Sequence, residues 1–273
     1  MNGKLLCLAL GLVAGTLRAN SFFAMDTAVR SLDELDTVKQ LGYDGIGWIS
    51  APPGQLTNVL RQLRQRDLKL FALYDGANLT DTNLIWGAQL EADLNVLRGT
   101  DTLIWLPIHS EAFAKSSPAG DAVAVPSLQH LAGLAASNGL RVALYPHTGM
   151  WLEHVADAQR VAKLVNRPNV GITFNLCHCL RVGDEAKIPE LLTAAVPSLF
   201  AVTINGADAN AAGAGWNRLI QPLDAGSYDV GMMLRELRAL NYQGPIGLQG
   251  YGVNLPAKDN LERSMAAWHK LAP

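Results

Sequence analysis

Apolar residues along this chain come in short continuous runs separated by amphipathic stretches. Runs of that kind predict parallel strands covered on their outer side by helices. The run at 21–25 predicts a first strand. Ser31, with Glu34 three residues on, has capping-box spacing for a helix behind it. Residues 44–48 predict the second strand and 55–66 a helix. Residues 68–74 predict the third strand, and apolar positions at helical spacing predict a helix over 83–97. The same cadence gives strands at 102–107, 141–145, 170–174, 199–204 and 245–248. The helices between and after them fall at 127–137, 154–165, 188–196, 230–240 and 261–271, the first ending on the C-cap signal Asn138-Gly139.

Eight such units are the number that closes a (β/α)8 TIM barrel, an α/β fold that fills about 250 residues as one domain. The competing architecture, an open doubly wound sheet, wants a glycine-rich phosphate loop after the first strand. Phe23-Ala24-Met25-Asp26-Thr27 offers none. One barrel over 21–273 is therefore expected. Residues 1–20 read differently: Lys4 precedes an apolar run from Leu5 to Leu17, too short to span a bilayer but matched to a signal peptide. This predicts a secreted or periplasmic product with no membrane segment in its mature form.

Charge narrows the partners. Charged residues make up 17% of the chain and the net charge is −2, which leaves no basic footprint for nucleic acid. Cys177 and Cys179 stand one residue apart, a spacing that does not suit a disulfide; buried packing is the simpler role.

A barrel of this kind carries its site at the C-terminal ends of its strands. The polar and aromatic residues placed there are Asp26, Trp48, Tyr74, His109, Glu111, Tyr145, His147, Asn175, His178, Asn205, Gln249 and Tyr251. Rings that stack on sugar C–H faces, mixed with amides that read hydroxyls, suit a small-molecule carbohydrate. No Arg or Lys cluster sits among them to hold a phosphate. His147 and His178 are the candidate catalytic acid–base pair, and hydrogen bonding to ligand or backbone is the equally open alternative. Trp86, Trp105 and Trp216 include a possible platform residue, with core packing the simpler role for the first two. The Ala-, Gly- and Asn-rich stretch 206–215 suits a loop over the mouth.

Several segments together resemble the xylose-isomerase-like sugar isomerase/epimerase superfamily. They are Leu41-Gly42-Tyr43-Asp44-Gly45-Ile46, Pro222-Leu223-Asp224-Ala225-Gly226-Ser227-Tyr228-Asp229, and Leu240-Asn241-Tyr242-Gln243-Gly244-Pro245-Ile246-Gly247. Asn175-Leu176-Cys177-His178 resembles the family's Asp-x-x-His motif with Asn for Asp. The resemblance implies a divalent metal held by Glu, Asp, His and Glu from the fifth to eighth strands, and proton transfer by the two Glu. The matching positions here are Tyr145, Asn175, Thr203 and Gln249, none of them anionic. The expectation is therefore no metal cofactor at that place, unless His109, Glu111, His147 and His178 form a relocated site. Two functions follow: a sugar isomerase, epimerase or lyase working by histidine acid–base chemistry, or a barrel that has lost catalysis and binds carbohydrate or a partner protein. Oligomeric state is not readable.

Overall fold

The computed structural model describes residues 20–50, 52 and 54–271. The export segment read at 1–20 lies outside the described residues except for Asn20. Among the described residues no helix is long and apolar enough to cross a membrane.

Eight parallel strands close a barrel. They are β1 (Phe22–Ala24), β2 (Gly45–Ile49), β3 (Lys69–Tyr74), β4 (Leu103–Leu106), β5 (Arg141–Leu144), β6 (Val170–Asn175), β7 (Leu199–Ile204) and β8 (Ile246–Leu248). Each pairs with its neighbours in sequence, and β1 pairs with β8 to complete the ring. All eight fall where the apolar runs predict them, within two residues at every end.

The lumen is filled by rings. Phe23, Trp105 and Tyr145 are fully buried inside it with Met25, Ala72, Leu103, Ala143 and Ala201. Phe23 stacks on Phe71 at 4.9 Å and meets the edge of Trp105 at 6.0 Å. Glycine makes room for them: a Cβ at Gly247 would lie 2.6 Å from the Phe23 ring, and one at Gly47 2.8 Å from the Met25 sulfur. Outside the barrel, Phe22 stacks on Trp268 at 4.2 Å, and the Tyr43 hydroxyl donates to the Leu261 carbonyl. These contacts clamp the last helix, Ala257–Leu271, over the first strand.

Three local expectations change. Residues 83–97 are not one helix: Leu84–Trp86 is a strand, and the helix is only Leu90–Val96. Leu84–Trp86 pairs antiparallel with Ala77–Leu79 across a turn in which the Thr80 hydroxyl accepts from the Thr82 and Asn83 amides. The fourth helix starts earlier than 127, at Asp121, and carries Pro126 inside it. The Ser31 box does not form either. Its hydroxyl caps a short 3-10 turn, Leu32–Glu34, by accepting from Asp33, and the α-helix begins at Leu35.

Asp229 does act as a cap, accepting from the Met232 amide at 2.9 Å to start Val230–Ala239. Asp229→Ala is expected to cost about 1 kcal/mol in urea unfolding. A change below about 0.3 kcal/mol would deny the cap any energetic role.

Candidate functional site

At the C-terminal ends of the strands lies a cavity of about 330 Å³. That is the lower end of the range of roughly 300–1,000 Å³ usual for small-ligand pockets. Its floor is Tyr145, fully buried, whose ring meets Trp105 at 5.4 Å and the edge of Tyr74 at 5.2 Å. One wall is His147, in the turn after β5, and His178, on the short helix Leu176–Arg181 that follows β6. Their ring centroids are 4.0 Å apart. Trp216 meets His178 edge-on at 5.5 Å, and Tyr251 stands at the rim, 6.3 Å from Trp216. Across from them come Asp26 and Thr27, just past β1, with Met25, Ile49 and Ile220 as apolar lining. Gln249, one residue past β8, completes the ring.

Hydrogen bonds fix most of these groups. The His147 Nδ1 lies 2.8 Å from the Thr148 carbonyl, so in the neutral ring that nitrogen carries the proton and Nε2 is left with its lone pair. Gln249 Oε1 accepts from the Thr27 hydroxyl and from the amides of Gly250 and Tyr251, at 2.8 and 3.0 Å. Trp216 is held from behind: the Arg181 guanidinium lies 4.5 Å over its ring and donates to the Ala214 carbonyl.

Burial sets the charge states. Desolvation lowers the pKa of His147 despite its carbonyl partner. It lowers His178 much further, with the neighbouring His147 and Arg181 adding to the effect. Both imidazoles therefore sit neutral at pH 7. The opposite holds for the carboxyl: burial raises Asp26 above its ordinary value. Burial also keeps Tyr74 and Tyr145 protonated far above neutral pH, so each offers an O–H.

Asp26, Tyr74, Tyr145, His147, His178, Gln249 and Tyr251 are thus brought together as the sequence predicts. Five others are not. Trp48 packs outward among the helices, because Gly47 and Ile49 take the lumen-facing parity of β2. His109 and Glu111 are exposed, since after β4 the chain leaves the barrel and Ile108–His109 joins the strand Ala77–Leu79 instead. Asn175 and Asn205 are fully buried below the cavity and serve the backbone. Asn175 donates to the Pro146 carbonyl and the Thr173 hydroxyl at 3.0 Å each, while its oxygen accepts from Thr203 at 3.1 Å. Asn205 donates to the carbonyls of Gly206 and Leu219. The stretch 206–215 is tied down by Asp208–Arg218 and by the Gly213 amide donating to Arg181. Cys177 and Cys179 are free, buried thiols whose pKa values burial pushes up, which makes them packing residues. Sequence reasoning missed Met25, Thr27, Ile49 and Ile220.

The donor set at the positions that would carry the family's metal does not fit a divalent cation. Tyr145, Asn175, Thr203 and Gln249 carry no negative charge, and the Asn175 and Gln249 oxygens already accept protein hydrogens. The relocated set is not assembled either: His109 and Glu111 stand on the exposed excursion. Among the described residues no three His, Cys, Asp or Glu side chains gather as ligands.

A closed eight-stranded barrel with its cavity at the strand ends defines a TIM barrel of the kind that binds small molecules at that face. A family model described as xylose isomerase-like TIM barrel matches residues 35–271, and the chain belongs to that family. No curated protein matches it. Among solved structures it is similar to 3-keto-D-glucoside 4-epimerase, YcjR, from E. coli, with 20% identity over 92% of this chain and 99% of that one and a TM-score of 0.70. It is similar to D-allulose 3-epimerase from Methylomonas sp. in complex with D-allulose, with 17% identity over 94% and 98% and a TM-score of 0.71. It is also similar to the IolI protein with a bound zinc atom, with 13% identity over 92% and 98% and a TM-score of 0.72. At these identities the likeness is one of fold.

Proposed function

We propose that the protein is a sugar isomerase/epimerase-like enzyme that acts on a non-phosphorylated sugar or sugar derivative by histidine acid–base chemistry. The observation that carries this reading is the cavity wall itself. Imidazoles, phenols, an indole and an amide line it, and no Lys or Arg does. Polyhydroxylated, uncharged ligands match such a surface: the Trp216 and Tyr251 rings offer faces for C–H groups, and Gln249 and the tyrosine hydroxyls offer polar partners. The epimerases among the structural neighbours lend the reaction class support by analogy. His147, neutral and with Nε2 unengaged by its backbone partner, is positioned to take a proton; His178 packs against it. The basic footprint that nucleic acid would require is missing from the cavity wall.

The leading residues extend the reading to a secreted or periplasmic protein, on the grounds given by the sequence. A second reading, a barrel that binds carbohydrate without turnover, is favoured by one observation: Asn175, at a position where the family carries a metal ligand, spends its amide on internal hydrogen bonds.

Incubation of metal-stripped protein with free aldoses and ketoses, followed by NMR, separates the two. Turnover without added metal supports the enzyme. Saturable calorimetric binding with no conversion supports the binding barrel. Conversion that appears only with stoichiometric metal overturns the metal-free chemistry.

A further inference from the structure

Proton transfer that inverts a carbon needs one group on each side of it, and His147 and His178 cannot be those two. They follow adjacent strands, β5 and β6, with ring centroids 4.0 Å apart, and so belong to a single wall. The facing wall is set by topology. Around the closed ring β1 is the fourth strand from β5 in either direction, so the residues just past β1 stand across the mouth from His147. Asp26 is there, and it is the one carboxyl among the residues that line the cavity.

Its surroundings suit a proton carrier better than a structural anion. Met25 and Ile49 are its apolar company in the lining, and Tyr74 and Tyr145 lie near enough to feel its charge. The nearby backbone amides of Thr27 and of Asp26 itself favour its charged form, and no Lys or Arg pairs with it among the described residues. Asp75 and Asp93 are also buried without a Lys or Arg partner among the described residues but lie outside the cavity lining, and the other structural carboxylates take cations or an imidazole. Asp184 takes His154 and Lys187, Asp157 takes Arg160, and Asp208 takes Arg218.

We propose that Asp26 is a catalytic acid–base group opposed to His147, and that the pair epimerises a sugar at a carbon next to a carbonyl. This rests on reading the protein as a sugar epimerase-like enzyme, and it assigns the substrate as a keto sugar, because only a neighbouring carbonyl makes the C–H acidic enough. The pair carries one proton at the start. Neutral His147 takes the proton from the carbon through Nε2; the C–H electron pair forms the carbon–carbon double bond of an enediolate, and the carbonyl π pair moves onto oxygen. Asp26, protonated, returns a proton to the other face of the same carbon, and the carbonyl re-forms. Nothing is oxidised or reduced. His147 ends protonated and Asp26 ionised, which is the starting state for the reverse reaction; exchange with solvent resets the pair. Burial raises the proton affinity of Asp26 and lowers that of His147, so the two approach each other and one proton passes at small cost. The hydroxyls of Tyr74 and Tyr145, both held protonated, are the cavity's donors for the oxygen that gains charge. His178 acts through His147, as a positioning residue.

The test is solvent-isotope exchange. Wild-type, Asp26→Asn and His147→Gln proteins are each incubated in D2O with D-fructose, D-allulose, D-tagatose and D-sorbose and followed by NMR. Wild type is expected to interconvert one epimer pair with deuterium at the inverted carbon. Both variants are expected to lose interconversion at least 100-fold, each retaining exchange into one epimer only, and opposite ones. Asp26→Ala, in which the side chain is removed, is expected to regain activity with added formate; a structural carboxylate would not be rescued in this way, and this arm stands if Asp26→Asn fails to fold. Interconversion by Asp26→Asn within threefold of wild type, or exchange of both epimers by it, overturns the role of Asp26 while leaving the epimerase reading intact. A wild-type protein that neither converts nor exchanges any of these ketoses overturns both.

Discussion

Replacing His147 by Gln is expected to cut sugar turnover by about 10²- to 10⁴-fold, the usual loss when a positioned acid–base group is removed. Sugar affinity should change much less. The Gln amide can still donate to the Thr148 carbonyl that now takes Nδ1, so the turn after β5 keeps its shape. What disappears is the ring nitrogen whose lone pair the Thr148 contact leaves free. His178 is the weaker base of the two, because burial, His147 and Arg181 hold its pKa well below the ordinary imidazole value. Turnover and calorimetric affinity measured on the same preparation check this. A His147→Gln protein that retains a third of wild-type turnover would remove the residue from the mechanism. The same two imidazoles also predict how stability depends on pH. Their folded pKa values lie below the unfolded value, so the unfolded chain binds more protons in acid. Their contribution is complete above about pH 6.5 and declines as the pH falls below it.

Asn175→Asp would restore the carboxylate of the family's metal set at its own position, and it is expected to destabilise the fold by about 3–5 kcal/mol at pH 7.5. The side chain is fully buried, and its amide nitrogen donates to the Pro146 carbonyl, which a carboxylate oxygen would repel. Thr203 already donates to this side chain, and only the Thr173 hydroxyl could turn to donate as well. The buried acid would hold its proton to higher pH than the unfolded chain does, whose pKa is about 3.9. The deficit is therefore full above the folded pKa and shrinks as the pH falls toward the unfolded one. Urea unfolding of variant and wild type at pH 7.5 and pH 5 tests both parts. A deficit below 1 kcal/mol, or one equal at the two pH values, would show that the site accepts the charge.

The barrel is legible in the sequence because its strands are continuous apolar runs punctuated by Gly and Pro. The hairpin Ala77–Leu79 with Leu84–Trp86 is not legible: each arm has three residues, too few to establish a period of two. Leu84, Leu90, Leu94 and Leu97 by contrast fit helical spacing across the break. The candidate site was readable to the extent that being near a strand end decides burial in the mouth. It failed where parity decides instead, as at Trp48, and where a polar side chain one layer lower serves the backbone, as at Asn175 and Asn205. Thr27 and Ile220 carry no chemical signal in the sequence, since a hydroxyl and an aliphatic are common at such places. Asp26 was visible as a polar strand-end residue. Its opposition to His147 belongs to ring closure, which no local pattern reports.

The seam between β1 and β8 has a consequence for the order in which the molecule is made. Phe22–Ala24 pair with Ile246–Leu248, so the first strand emerges from the ribosome more than two hundred residues before its partner. Until then two edges stay open, and the halves of the cavity that meet through Thr27 and Gln249 are apart. Synthesis of β8 is what turns a curled sheet into a vessel.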